Sequence, residues 1–246
     1  MGSIRFSVTE WAAWSADRQT RRAWLDWAGA EEIATAQDDR ESISPPSLLR
    51  RRVSQVGQKA LQAAFSLPDV GASRFVLSSR HGEFGRTLTH LKALADGEPL
   101  SPADFSLSVH HALVGLLSIA TKNRLGHTAV AAGRETFGYG LLEAAAAAAE
   151  RPGSPVVLMH FDEPLPPEYL EIDEPQEPAL ALALSVACTV GDSGNLCLAM
   201  DPAAESEPPC GSLATEFLGF LLGGADERRA VGDRMRWHWK RSHGVA

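Results

Sequence analysis

The chain has 246 residues, 44% of them hydrophobic and 22% charged, which is typical of a globular protein with a buried core. Its formal net charge of −8 argues against general nucleic-acid binding, because that activity needs a basic surface. The three cysteines lack metal-ligand spacing and predict buried free thiols. We expect no signal peptide and no membrane insertion, since the longest apolar run is too short to span a bilayer, and therefore a cytoplasmic protein.

The first part of the chain predicts three helices and one strand. In chain order these are a helix at residues 17–28, a helix at 47–65, a strand at 75–79 and a helix at 86–96. Trp24 and Trp27 fall on one face of the first helix. The run Arg50–Arg52 in the second helix is interpreted as a solvated face whose aliphatic stems pack down.

The middle of the chain predicts a helix at 106–120 that is apolar on nearly all sides, a strand at 128–132 and a helix at 135–150. The turn before the last helix is Ala132-Gly133-Arg134-Glu135-Thr136. Turns of this kind hold the nucleophile of many α/β enzymes at the positive end of a helix. This turn contains neither Cys nor Ser, so it has the architecture of a catalytic site without a nucleophile.

The last part of the chain predicts strands at 156–161, 179–187 and 196–200 and an apolar helix at 213–222. The Ala/Leu alternation of residues 179–187 indicates a strand buried on both faces, and we expect residues 196–200 to be its hairpin partner. Residues 226–241 follow this helix and carry Trp237 and Trp239. Strands alternating with helices predict an α/β fold, with a mixed β-sheet between helical layers in a single domain of residues 1–246.

Several polar groups are candidates for chemistry. Gly191–Gly194 has the sequence of a serine protease motif, but a turn between two strands explains it better. His110 and His111 are neighbours in the predicted helix and point about 100° apart, so they are not expected to hold one metal ion together. We expect one to be hydrogen-bonded in the core and the other to reach a pocket or interface. The alternative is a general base.

The end of the third predicted strand carries further titratable groups. We interpret Asp162 and Glu163 as a solvated strand end, and His160 as a buried, neutral side chain. No metal site and no cofactor site is predicted from the sequence.

Most of the chain is similar to a known family. The matching stretches are Phe75–Glu83 with Arg86-Thr87, Pro99–Pro102, Phe105–Ala112, Gly115–Ala120, Ala132-Gly133 with Thr136, Gly140–Ala144 and Asp162–Pro166. They resemble the N-terminal half of β-ketoacyl synthases of the thiolase superfamily. More closely, they resemble the short synthase-like proteins of bacterial aryl polyene and xanthomonadin-type pigment clusters. The resemblance implies a thiolase-like half-fold.

The resemblance also implies a role. Aligned from Ser101, the acyl-accepting cysteine of the synthases falls at Arg134 and their helix asparagine at His111. The histidines that the synthase second half supplies have no counterpart. The chain therefore resembles a chain length factor, a non-catalytic subunit that forms a heterodimer with a full-length, Cys-containing ketosynthase. Such a subunit shapes the partner's acyl pocket during polyene or fatty-acyl elongation on acyl carrier protein.

The resemblance places eight residues at the acyl pocket or subunit interface: Asp104, Phe105, His110, His111, Arg134, Glu135, Thr136 and Phe137. Asp104 and Phe105 are expected to cap the partner's acyl pocket, and Arg134 to fix structure near the partner without covalent chemistry. One alternative is an acyl-thioester enzyme that uses His110 or His111 as base. Another is a homodimeric acyl-binding protein.

Overall fold

A computed structural model describes residues 2–30, 46–47, 51–172, 178–188 and 194–242. Helices and strands alternate along much of the chain. The elements are β1 (Ser3–Ser15), α1 (Arg21–Ala28), α2 (Gln55–Phe65), β2 (Arg74–Ser78), α3 (Phe84–Ala95), α4 (Pro102–Ser108), α5 (Ala112–Thr121), β3 (His127–Val130), α6 (Thr136–Glu150), β4 (Val156–Asp162), β5 (Leu180–Ala187), β6 (Leu196–Pro202), α7 (Leu213–Leu222), β7 (Glu227–Val231) and β8 (Met235–Arg241).

The eight strands form one sheet in the order β3-β2-β4-β5-β1-β6-β8-β7. β2 runs parallel to β3 and β4, and all the other neighbours are antiparallel. β1 lies in the centre, where its first residues pair with β6 and the rest with β5. A register shift between Val8 and Glu10 accompanies this change of partner. The sheet is therefore mixed, as the sequence predicts.

β5 shows how the sequence divides the core between the two faces of the sheet. Leu180, Leu182 and Leu184 lie in a cluster with residues of α6 and α7, whereas Ala181 and Ala183 lie in a cluster with α2 and α5. All five are buried. The small alanines allow α2 to approach the sheet closely, while the leucines fill the wider space opposite. The predicted two-sided burial of this strand is confirmed.

Two helix predictions are wrong in their boundaries. The helix expected at 47–65 begins at Gln55 within the described residues, because extended Ser54 caps it and accepts a hydrogen bond from Gly57 N at 3.0 Å. The helix expected at 106–120 is two helices, α4 and α5, that meet at 99°. Extended Val109 breaks them apart, so His110 and His111 lie in a turn.

The predicted hairpin of residues 179–187 and 196–200 is also wrong. β5 and β6 do not pair, since β1 lies between them and bonds to both. Residues 191–193, the expected turn, lie outside the described part of the chain. β1 and the β7–β8 hairpin are not predicted from the sequence.

Two further expectations concern burial and length. Cys188 is buried, but Cys197 and Cys210 are only partly so, and the prediction of buried thiols is wrong for those two. In the ranges that the structure describes, no single helix is long and apolar enough to span a membrane, although the bent pair α4–α5 meets that test together.

Candidate functional site

The turn between β3 and α6 is where an enzyme of this architecture would hold its nucleophile. Gly133 takes a left-handed conformation with φ of 61°. The buried Thr136 hydroxyl donates to Gly133 O at 2.6 Å and accepts from Ala132 N at 2.9 Å. Thr136 thus closes the turn, and Arg134, which is partly buried, occupies its tip.

A shallow recess surrounds this turn. Its walls include Arg80, Arg134, His160 and Asp162, with Ser212 from the start of α7. A guanidinium is permanently charged and forms no thioester, so Arg134 offers no nucleophile for covalent acyl transfer. The three cysteines lie elsewhere, on or next to β5 and β6 and before α7.

A row of three side chains behind the recess has the order of a hydrolase triad. Ser78 Oγ lies 2.9 Å from His160 Nδ1, and His160 Nε2 lies 3.5 Å from Asp162 Oδ2. However, Ser78 is 0% exposed, and a Cβ added to Gly140 would lie 2.6 Å from its Cβ. A substrate carbonyl has no room beside this hydroxyl, so we assign the row to structure.

Burial shifts the pKa of both titratable members of this row. It lowers the pKa of His160 to about 4, against a hydrogen bond at Ser78 that raises it, so the imidazole is neutral at physiological pH as the sequence predicts. It raises the pKa of Asp162 to about 6, against hydrogen bonds from the backbone of Arg80 and His81 and from Ser79 Oγ. Asp162 anchors the loop after β2.

The interpretation of Asp162 and Glu163 as a solvated strand end is therefore wrong. Asp162 accepts from Arg80 N at 2.7 Å. Glu163 accepts from Ser54 Oγ, and its pKa is raised, chiefly by burial. Asp162 holds the loop after β2 by accepting from its backbone N–H groups, and Glu163 holds the start of α2 by accepting from the Ser54 hydroxyl.

The two adjacent histidines separate into different surroundings. His110 packs 3.6 Å from the position of a Gly82 Cβ, and its Nε2 lies 3.4 Å from Arg80 O. His111 is exposed, and its ring centroid is 5.9 Å from that of His127. Partial burial, and then the charge of His111, lower the pKa of His127. Within the described residues neither His110 nor His111 contacts a carboxylate that would orient it as a base.

Glu135 joins the start of α6 to the far end of the sheet. Its fully buried carboxylate accepts from Arg234 N at 3.1 Å and from Met235 N at 2.6 Å, in the turn between β7 and β8. Arg234 Nε lies 3.1 Å away. A Cβ on Gly232 would lie 2.5 Å from Glu135 Oε1, so only glycine leaves room for this contact.

The predicted site residues fall into two groups. Glu135, Thr136 and Phe137 are buried in this chain beside the recess, and Phe137 packs 5.3 Å from the ring of His160. Asp104 and Phe105 lie on α4 at the surface. The assignment of these residues to an acyl pocket or interface stays a prediction.

Helices α3 and α4 form a pair in which no residue is buried. Between them lies a groove of about 290 Å³ that includes His90 and Leu100. Phe105 is 58% exposed, and Leu94 on α3 is 57% exposed. Asp104 Oδ1 lies 3.4 Å from Arg86 Nη1, and Arg86 is held in turn by Glu83 at 2.9 Å.

Residues 24–240 match the family described as "Beta-ketoacyl synthase, N-terminal domain". The chain belongs to this family. No curated protein matches it significantly. One similar solved structure is a complex of a ketosynthase (ApeO) with its chain length factor (ApeC) from Xenorhabdus doucetiae. A chain of that complex is 27% identical with a TM-score of 0.81, and the match covers 97% of this chain and 100% of that one.

Two more distant structures share the fold. A β-ketoacyl synthase from Burkholderia phymatum STM815 is 14% identical with a TM-score of 0.58, covering 91% of this chain and 71% of that chain. A type II polyketide acyl-carrier protein in complex with its ketosynthase bound to the hexaketide gives 13% identity and a TM-score of 0.62, covering 82% and 70%. The predicted thiolase-like α/β fold is confirmed.

The two outer strands of this synthase domain differ in their exposed chemistry. β7 carries exposed Glu227, Arg228 and Arg229. β3, with the sequence His-Thr-Ala-Val, carries no Lys, Arg, Asp or Glu. The exposed residues Ile119 (74%) and Leu125 (51%) come just before it in the chain. Charged side chains protect sheet edges from pairing with other strands, so β3 is the edge that is open to a partner.

The hydrogen bonds of β3 show which of its backbone groups are available. Phe75 N donates to Gly126 O and Ser79 N donates to Val130 O. Bonds in a parallel ladder leave alternate residues free, and Phe75 is opposite His127 while Leu77 is opposite Ala129. The N–H and C=O groups of His127 and Ala129 therefore face the open edge.

Proposed function

We propose that this chain is a non-catalytic, chain-length-factor-like subunit that forms a heterodimer with a Cys-containing β-ketoacyl synthase in the cytoplasm. It would shape the partner's acyl pocket during polyene or fatty-acyl elongation on acyl carrier protein. The observation that carries the proposal is the tip of the β3–α6 turn, where Arg134 stands in the position of a nucleophile. Similarity along the whole chain to a ketosynthase and chain length factor complex supports it.

The partner needs a surface on which to dock, and the open edge of β3 provides one. A strand of the partner would bond to the outward groups of His127 and Ala129 and extend the sheet. Exposed Ile119 and Leu125, which come just before β3 in the chain, would supply apolar area to the interface. Docking through this strand would place the partner next to the turn that carries Arg134, which directly follows β3.

α4 would supply the group that closes the partner's acyl pocket. Phe105 is exposed, and its ring is 6.2 Å from that of His90. Asp104 is paired with Arg86, which offsets the cost of placing a carboxylate beside an alkyl chain. We therefore assign contact with the acyl chain to Phe105, and the attachment of α4 to Asp104.

Co-expression with a full-length, Cys-containing β-ketoacyl synthase tests the proposal. We expect a stable complex with one copy of each chain, and condensation that requires the partner's cysteine. The isolated chain should not turn over acyl-carrier substrates, and Ser78→Ala should leave the activity of the pair unchanged because Ser78 is buried. A chain that stays alone beside its ketosynthase, or that condenses substrates by itself, would contradict the proposal.

A further inference from the structure

Two histidines meet at the surface away from the recess. His111 lies in the turn that begins α5, and His127 is the first residue of β3. Their ring centroids are 5.9 Å apart and the ring planes are inclined by 61°. Both side chains are exposed, so an ion in solution reaches them without a change in the fold.

These two rings differ from other histidines of the chain. Nε2 of His238 is bonded to Asp201 at 2.7 Å, and Nδ1 of His160 to Ser78 at 2.9 Å. In the part of the chain that the structure describes, no side-chain hydrogen bond involves the ring of His111 or His127. Their nitrogens are therefore available as ligands.

We propose that His111 and His127 form a binding site for a borderline divalent transition ion such as Zn²⁺, Ni²⁺ or Cu²⁺. Imidazole is a preferred ligand of these ions. With metal–nitrogen bonds of about 2.0–2.1 Å, two rings on one tetrahedral ion have centroids roughly 5 Å apart. A small rotation of the exposed side chains brings the observed pair to that spacing.

The site has two protein ligands and open coordination positions. No group of three or more His, Cys, Asp or Glu side chains is placed to hold a metal among the described residues. Water, or a donor from a protein docked at β3, would complete the coordination. His111 is adjacent to His110 in the sequence, whereas the fold pairs it with His127, so the sequence alone does not predict this site.

Calorimetric titration of the full, untagged chain with NiCl₂ and with ZnCl₂ tests this site. We expect saturable binding of one ion per chain. His111→Gln and His127→Gln should each weaken it at least tenfold, while His90→Gln, a matched control on α3, should leave it unchanged. Bound Cu²⁺ should show coupling to two imidazole nitrogens by electron paramagnetic resonance.

The proposal is overturned by the absence of saturable binding, by full affinity in either single variant, or by a copper spectrum without two imidazole nitrogens. Thermal unfolding in metal-free buffer checks that the variants fold. If one of them does not, the copper spectrum of the unmodified chain and the other variant decide. None of these readouts depends on a ketosynthase, so failure here leaves the proposed function untouched.

Discussion

The two edge strands of the sheet, β7 and β3, differ in how they are protected from pairing with strands of another protein. β7 is covered with charge, and its neighbours continue the pattern, since Arg228 pairs with Glu216 at 2.5 Å and Lys240 with Glu227 at 3.0 Å. β3 is short and uncharged, and the exposed residues Ile119 and Leu125 come just before it in the chain. An edge without protection invites pairing, so a chain that leaves one edge open while guarding the other is suited to a single partner on the open side.

The largest expected effect is on association, through Ala129→Pro. Proline removes the outward N–H of Ala129, which is free of β2, so the fold should survive while the complex with the ketosynthase is lost. Co-purification and analytical ultracentrifugation measure this. Ala129→Ser, which keeps the N–H, is the control. A complex that forms equally well with proline at 129 would place the interface elsewhere.

Glu135→Ala tests the hydrogen bonds that attach the β7–β8 hairpin to the start of α6. It leaves the backbone N–H groups of Arg234 and Met235 without the buried carboxylate that accepts from them, so we expect the free energy of unfolding to fall by about 1–3 kcal/mol. Chemical denaturation measures the change. Glu135→Gln, which keeps an acceptor oxygen, should lower the free energy of unfolding clearly less than Glu135→Ala does. Equal losses in both variants would show that charge, and not hydrogen bonding, makes this link.

Acid titration tests how Asp162 and His160, at the end of β4, change the stability of the fold with pH. Burial raises the pKa of Asp162, so the native state binds more protons than the unfolded state between about pH 4 and 6, and this group increases stability as the pH falls. The lowered pKa of His160 has the opposite sign, and its contribution to stability is lost as the pH falls. The two effects oppose each other in the unmodified chain.

Substitution should reveal each effect alone. Asp162→Asn should make the free energy of unfolding fall more steeply on acidification, and His160→Gln should make it fall less or even rise, each by up to about 3 kcal/mol at about 1.4 kcal/mol per pKa unit. Denaturation at pH 4, 5 and 7 measures these slopes. Parallel pH profiles in the two variants would mean that neither group titrates as its burial implies.

A charge introduced at Ile119, just before β3 in the chain, should have the smallest of these effects, and it should act on binding to the ketosynthase. Ile119→Lys is expected to weaken binding to the ketosynthase about tenfold, because a desolvated charge replaces an apolar contact, with little change in stability at this exposed position. Arg229→Ser on β7 is the matched control and should not affect binding. If both substitutions weaken binding equally, the position of Ile119 near β3 has no special role in association.

The features best predicted from the sequence are those that depend only on residues close together in the chain. The Ala/Leu alternation of β5 and the turn at Gly133 and Arg134 both lie where we expected them. The shift at Val8 and Glu10 interrupts the alternation of β1, and for that reason this central strand was missed. The break at Val109 is invisible in the sequence because no Gly or Pro lies near it to mark the end of a helix.

Contacts that depend on the register of the sheet were not predictable. Ser78 and His160 meet because β2 and β4 are neighbours that pair these two residues. The pairing of His111 with His127 depends likewise on how α5 and β3 are placed. Glu135 was expected near an interface, but its partners come from a hairpin that the sequence analysis did not find.

Hydrogen exchange of the chain with and without its ketosynthase is the most direct test of the central claim. In the free chain the amides of His127 and Ala129 face solvent and should exchange rapidly. Addition of the ketosynthase should protect these two amides and leave those of β7 unchanged. A complex that forms without protection at His127 and Ala129, or one that protects β7 instead, would contradict the account.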